Sequence, residues 1–173
     1  LLDIVVKERK TRVSFWEIIA GMVAESWYPI HYFKLSFGKA DSLFTKSLEI
    51  QKELQISIDS DKKKIKDQLL VNIEDTKKFL RVFALNVPYR FLSPWIRYTY
   101  DEDVVAKSQR YENGCLYAIY GDEIVINEEW VDYLNENYII LRDFAFWNLT
   151  EFLQKHNPNV PNVPFTLVLT LLF

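Results

Sequence analysis

Cysteine, histidine and glycine are scarce in this chain, and each scarcity excludes a class of function. The single cysteine, Cys115, cannot form an internal disulfide. The two histidines, His31 and His156, are too far apart in sequence for a helical zinc motif. The four glycines are isolated from one another, so no glycine-rich loop is present to hold phosphates. Disulfide scaffolds, metal catalysis by this chain alone and nucleotide hydrolysis are therefore disfavoured.

Proline and net charge are also low. With 6 prolines, no proline- or glycine-rich linker divides the chain, and 49% hydrophobic residues are enough for a real core. A net charge of −3 argues against a surface that binds nucleic acid by strong overall basicity.

The lone cysteine indicates a reducing compartment, and we find neither a signal-peptide pattern nor an apolar run of about twenty residues. We therefore expect a cytoplasmic protein that makes no contact with membranes.

Capping signals predict where the first two long helices begin. Ser14 is followed three residues later by Glu17, the spacing of a capping box, and the apolar pattern after it is helical. We expect this helix to end before Pro29, because proline disrupts a helix interior. Asp41 is predicted to cap a second helix that extends to about Gln55.

The rest of the chain indicates more helices and one hairpin. Apolar residues recur at helical spacing from Ile65 to Phe83, and the segment 138–155 is the most hydrophobic and is expected to form the central helix. Between them, β-branched and aromatic runs flank the turn Gly121-Asp122. The expected fold is mainly α (α+β): a single helical domain over residues 1–164 with one small β-hairpin near residues 115–126, followed by an apolar segment, 165–173.

Several residues have both a chemical and a structural interpretation, and the structural one is favoured in each case. His31 could act as a general base, but no carboxylate is placed by sequence to orient it. Cys115 has no sequence cue for a lowered thiol pKa. The acidic run 101–103 is better explained as the charged start of a helix, and the run 61–66 as a solvated helix start than as a phosphate site. No catalytic residue, metal ligand or cofactor is predicted in this chain.

Four segments, in order and at similar spacing, resemble a known pattern. They are similar to the region that precedes the nuclease module in a family of bacterial HNH-endonuclease-domain proteins, and the resemblance extends from Leu1 to about Pro164. The segments are AESWYPI at 24–30, KLSFGK at 34–39 with Asp41, VPYRFLSPW at 87–95 and FLQKHNPNVP at 152–161.

The resemblance implies a function that this chain alone does not contain. A downstream ββα-metal HNH module would use histidines to activate water and would hold a divalent metal for phosphodiester hydrolysis. This chain would be the accessory region that positions DNA for that module, and a role in bacterial defence is implied by the same association. The chain departs from the family pattern at Phe165–Thr170, which is apolar where the family continues in polar residues.

Basic residues beside turns and helix ends are the candidates for contact with DNA. A phosphate there can be bound by a side chain and by the backbone together. The four candidates are Lys34, Lys39, Arg90 and Lys155. Each lies in a segment that also has a structural interpretation, such as the helix stop at Asn157-Pro158.

A second interpretation is a stand-alone protein-interaction or oligomerisation module without catalysis. The acidic balance, the 16% of aromatic residues and the apolar segment from Phe165 to Phe173 favour it, since such a segment can add a strand to a partner. The partners expected from the sequence are DNA, the chain's own downstream nuclease module or a second copy. The sequence leaves the two interpretations open.

Overall fold

A computed structural model of the 173-residue chain describes residues 1–38 and 41–160. The chain forms two compact units. Unit 1 holds residues 1–19 and 81–142, and unit 2 holds the described residues of 20–80 and those from Asp143 to Val160. The predicted apolar segment 165–173 and the candidate Lys39 lie outside the described residues.

In the described part of the chain, helices dominate and three short strands form one antiparallel sheet, which confirms the predicted mainly α class with its small hairpin. The strands are β1 (Arg12–Ser14), β2 (Tyr117–Tyr120) and β3 (Glu123–Ile126). The helices are α1 (Leu2–Val6), α2 (Phe15–His31), α3 (Ser42–Leu54), α4 (Lys62–Val71), α5 (Ile73–Ala84), α6 (Val87–Arg90), α7 (Asp101–Ser108), α8 (Glu128–Glu136) and α9 (Tyr138–His156).

The sheet of unit 1 is built around β3. Strands β2 and β3 are the predicted hairpin, and Gly121 supplies the positive φ of 61° that its tight turn requires. Strand β1, which no sequence pattern predicts, pairs antiparallel with the other edge of β3 and places Val13 opposite Ile124. Both of these side chains are buried, so the added strand extends the core of unit 1.

Buried hydrogen bonds join the sheet to the helices of unit 1. The Tyr117 hydroxyl donates to the carbonyl of Pro88 at 2.6 Å, and burial raises the pKa of Tyr117. On the same strand, the N–H of Ile119 donates to the Ser108 hydroxyl at 3.0 Å, and its carbonyl accepts from the Gln109 amide at 2.9 Å. The sheet is therefore anchored to α6 and α7 by polar contacts as well as by apolar packing.

The helix starts follow the predicted caps. The Ser14 hydroxyl accepts from the N–H of Glu17 at 3.1 Å, and Asp41 accepts from the N–H of Phe44 at 2.8 Å. Asp61 caps α4 in the same way, and the lysines that follow it form surface ion pairs, so the run 61–66 is a solvated helix start. The acidic run 101–103 occupies the first turn of α7, as expected.

Helix α2 does not end before Pro29, as predicted, but continues to His31. A proline in the last turn removes only one helical hydrogen bond, while the residues around it, such as Trp27 and Ile30, gain a buried environment. The turn finishes at Lys34, whose φ is 53° and whose N–H donates to the carbonyl of Ile30 at 3.1 Å. The burial of these side chains therefore outweighed the tendency of Pro29 to end the helix.

The segment 138–155 was expected to form the central helix of the fold, and this expectation was wrong about how the helix packs. Helix α9 forms, but its buried residues are Thr150 and Leu153, and most of its large apolar side chains are exposed. A helix that is apolar on nearly every side does not reveal which side will be covered.

Candidate functional site

The candidate DNA-binding residues fall in different parts of the molecule. Lys34 and Lys155 both belong to unit 2 and are exposed, Lys34 just after α2 and Lys155 in the last turn of α9. Arg90 belongs to unit 1, where its guanidinium lies 3.8 Å from the centroid of the Tyr98 ring. Lys39 is outside the described residues.

Asn157 holds together two of the segments that carry the family resemblance. Its side-chain oxygen accepts from the N–H of Ser36 at 2.8 Å, and its amide donates to the carbonyls of Ser36 and Leu153 at 2.9 and 2.8 Å. Beside these bonds, the buried side chains of Leu35 and Leu153 form a small apolar cluster. The loop after α2 is thus fixed on the C-terminal end of α9, with Lys34 and Lys155 exposed on the two segments.

His31 is buried, and no carboxylate of the described residues is its partner. It is 3% exposed, its ring lies 4.2 Å from that of Trp27 between centroids, and its Nε2 makes no hydrogen bond to any residue that the structure describes. Burial, together with the charge of Lys34, lowers the pKa of His31 to about 4. The imidazole is neutral at pH 7, and its burial favours the structural interpretation over a general base.

Cys115 lies in the core of unit 1. Its thiol faces the carbonyl of Tyr117 with a sulphur-to-oxygen distance of 3.4 Å, and burial raises the pKa of the Cys115 thiol. A protonated, inaccessible sulphur is a poor nucleophile. The structural interpretation is favoured here too.

A pocket of about 260 Å³ lies in unit 2 and has aromatic walls. The rings of Tyr28 and Tyr32 stack with their centroids 4.1 Å apart, and the Tyr32 hydroxyl donates to the carboxylate of Asp59. Trp27 also lines the pocket, and Lys62 lies on its wall. We call this site the tyrosine pocket.

Two residues that line the tyrosine pocket have polar groups that differ in their bonding: one has no partner and the other is ion-paired. Trp27 is 1% exposed, and its indole N–H has no hydrogen-bond partner within the described ranges. The ammonium of Lys62 is paired with Glu25 at 2.9 Å. A buried donor without a partner is uncommon in folded proteins.

Sequence reasoning missed the tyrosine pocket. Because the first long helix was expected to stop before Pro29, Tyr28 and Tyr32 were not placed one turn apart on the same helical face. Asp59 comes from the loop before α4, and no local pattern joins it to α2. The i, i+4 spacing of the two tyrosines was the available signal.

Helix α9 carries an exposed aromatic surface. Phe144, Trp147 and Phe152 are 69%, 66% and 42% exposed, and they project from the side of the helix opposite Thr150 and Leu153. We call these three residues the α9 face. Single exposed apolar residues are ordinary, whereas a cluster of large rings on one helix is typical of an interaction surface.

Comparisons with models of protein families, with curated proteins and with solved structures gave no match. Within residues 1–38 and 41–160, no helix is both long enough and apolar enough to cross a membrane.

Proposed function

We propose that this chain is a protein-interaction module that associates with a second copy of itself through the α9 face. The observation that carries the proposal is the exposure of Phe144 and Trp147, two large rings one turn apart on the same side of α9. Leaving such rings in water is unfavourable, and burying them against another protein surface removes that cost.

The size and charge of the surface suit a symmetric contact. A whole aromatic side chain buries about 150–250 Å², so the exposed parts of the three rings supply roughly a third to a half of the roughly 800 Å² per partner that a stable interface needs. Glu151 and Lys155 lie among the rings and have opposite signs, so two copies face no net repulsion there. In a two-fold contact, each ring of one copy meets the same surface on the other.

Sedimentation velocity over a low- to high-micromolar concentration series tests this function. We expect the wild type to dimerise with rising concentration, and the Phe144→Gln/Trp147→Gln double variant to remain mostly monomeric with an unchanged circular dichroism spectrum. Val71→Gln is the matched control, because Val71 is 83% exposed but lies on α4, away from the α9 face. A wild type that stays monomeric throughout the series would overturn the proposal.

We also propose, as a second candidate, that the chain is the accessory region of a cytoplasmic HNH endonuclease and takes part in bacterial defence. The observation that favours it is the Asn157 junction, where two of the family-like segments meet and carry the exposed lysines Lys34 and Lys155. In this role the two lysines contact phosphates and position duplex DNA, while a downstream module performs metal-dependent hydrolysis.

Fluorescence anisotropy with duplex DNA at several salt concentrations tests the second candidate. We expect Lys34→Gln and Lys155→Gln to weaken binding similarly for unrelated DNA sequences. Each should also reduce the slope of log affinity against log salt concentration by about the amount of one phosphate contact. Lys52→Gln, which removes an exposed lysine of α3, is the control and should bind like the wild type. Lys39→Gln and Arg90→Gln, measured in the same way, test the other two candidate DNA-binding residues.

The nuclease part of this candidate has its own test. Sequencing the native gene beyond the codon for Phe173 should reveal an HNH module, and the encoded protein should cleave duplex DNA only with a divalent metal present. A gene without that module would exclude the nuclease role, whatever the DNA affinity of this chain.

A further inference from the structure

We propose that the tyrosine pocket is a binding site for a small organic ammonium ion. The site is separate from the α9 face and does not depend on either function proposed above. Its aromatic rings, its carboxylate and its volume each determine one property of the ligand.

The rings select for a cation. The faces of tyrosine and tryptophan rings carry negative potential, and a cation within about 6 Å of a ring centroid is attracted to them. Tyr28 and Tyr32 stack with their centroids 4.1 Å apart, which leaves the outer face of each ring for a cation, and Trp27 lines the same pocket. An alkylated ammonium gains most in such a site, because its charge is spread over carbons that also bury apolar surface.

The charge of the pocket agrees in sign with a cationic ligand. Asp59 accepts a hydrogen bond from Tyr32, and no basic side chain within the described ranges forms an ion pair with it. Lys62 is the basic residue on the wall, and Glu25 already neutralises it. The carboxylate of Asp59 therefore gives the pocket a net negative charge, which attracts an ammonium and repels a phosphate or a carboxylate.

The size of the pocket limits the ligand. The volume of 260 Å³ is just below the range of about 300–1,000 Å³ typical of ligand sites, so the ligand is small. Choline is a small alkylated ammonium ion, and it is the probe for the test.

Isothermal titration calorimetry compares choline with dimethylbutanol, its uncharged isostere. We expect choline to bind at least about tenfold more tightly, because the isostere has the same shape without the charge that the rings and Asp59 attract. Equal affinity for the two compounds, or no binding of choline, would show that the pocket is not a cation site.

Variants assign the contributions of the pocket residues. Asp59→Asn removes the charge but can still accept from Tyr32, and it should weaken choline about tenfold. Asp67→Asn removes an exposed carboxylate of the same unit outside the pocket and should change nothing. If the two variants bind choline equally well, Asp59 does not recognise the ammonium.

Discussion

His31 makes the stability of the fold sensitive to acid. The unfolded chain binds a proton at this residue with the ordinary histidine pKa of 6.5, whereas burial beside Trp27 lowers the pKa of His31 in the folded chain to about 4. Between these values the unfolded state binds more protons, so the free energy of unfolding falls as the pH drops from about 6.5 to about 4. We expect His31 to account for on the order of 2 kcal/mol of that loss.

Urea denaturation of the wild type and of His31→Phe at several pH values measures this contribution. The variant should lose less stability over the same pH window, because it has no imidazole to protonate. Parallel pH profiles for wild type and His31→Phe would show that His31 does not govern acid sensitivity.

Lys34 holds a backbone conformation that suits glycine. Its φ of 53° lies in the left-handed region, where a side chain costs about 1 kcal/mol. Lys34→Gly should therefore raise the free energy of unfolding by about 0.5–1 kcal/mol, whereas Lys52→Gly within α3 should lower it by a similar amount. Thermal unfolding midpoints of the two variants should move in opposite directions, and a decrease for Lys34→Gly would contradict this account.

At the scale of elements, Asn157 joins the loop after α2 to the end of α9. Asn157→Ala leaves the N–H and the carbonyl of Ser36 without their side-chain partner, and it should lower the free energy of unfolding by about 2–3 kcal/mol. Asn148→Ala removes an exposed asparagine whose amide donates to Phe144 within α9, and it should cost less than about 0.5 kcal/mol. Chemical denaturation compares the two variants. Equal losses of unfolding free energy would show that the Asn157 side chain stabilises the fold no more than an exposed asparagine does.

Tyr117 plays the corresponding role in unit 1. Tyr117→Phe removes the buried hydrogen bond to the carbonyl of Pro88 and should lower the free energy of unfolding by about 1–2 kcal/mol. Tyr120→Phe is the matched control on the same strand, because its side chain is exposed at the end of β2. A cost at Tyr120 as large as that at Tyr117 would mean that the buried bond is not the cause.

Local signals in the sequence predicted the elements well. The Ser14 and Asp41 caps and the Gly121 turn each depend on residues a few positions apart, and all three formed as expected. Strand β1 was missed because three residues show no alternation, and its partner is more than a hundred positions away along the chain. Local patterns cannot specify a pairing that distant.

The candidate sites were harder to predict for the same reason. Tyr32 and Asp59 are 27 positions apart, and only the fold brings them together. The exposure of the α9 face was also not predictable, because apolar residues surround that helix and the pattern has no polar side. The DNA contacts assigned to Lys34, Lys39, Arg90 and Lys155 stay predictions.

At the scale of the whole molecule, net charge and the α9 face act together. The chain has a net charge of −3 at pH 7 and a pI near 5.5, so repulsion between copies is weakest near pH 5.5. We expect light scattering to show the strongest association near that pH. The Phe144→Gln/Trp147→Gln variant, which keeps the same charge, should associate less at every pH. A pH profile that is identical for the variant would locate the contact elsewhere.

Cys115 gives the molecule a built-in reporter of local opening. It is the only sulphydryl in the chain, it is buried in unit 1, and a thiol reagent can reach it only when that unit opens. The rate of its labelling therefore reports how often unit 1 opens. The loss of an anchor in unit 1, such as the Tyr117 hydrogen bond, can thus be followed in a protein that carries no added probe.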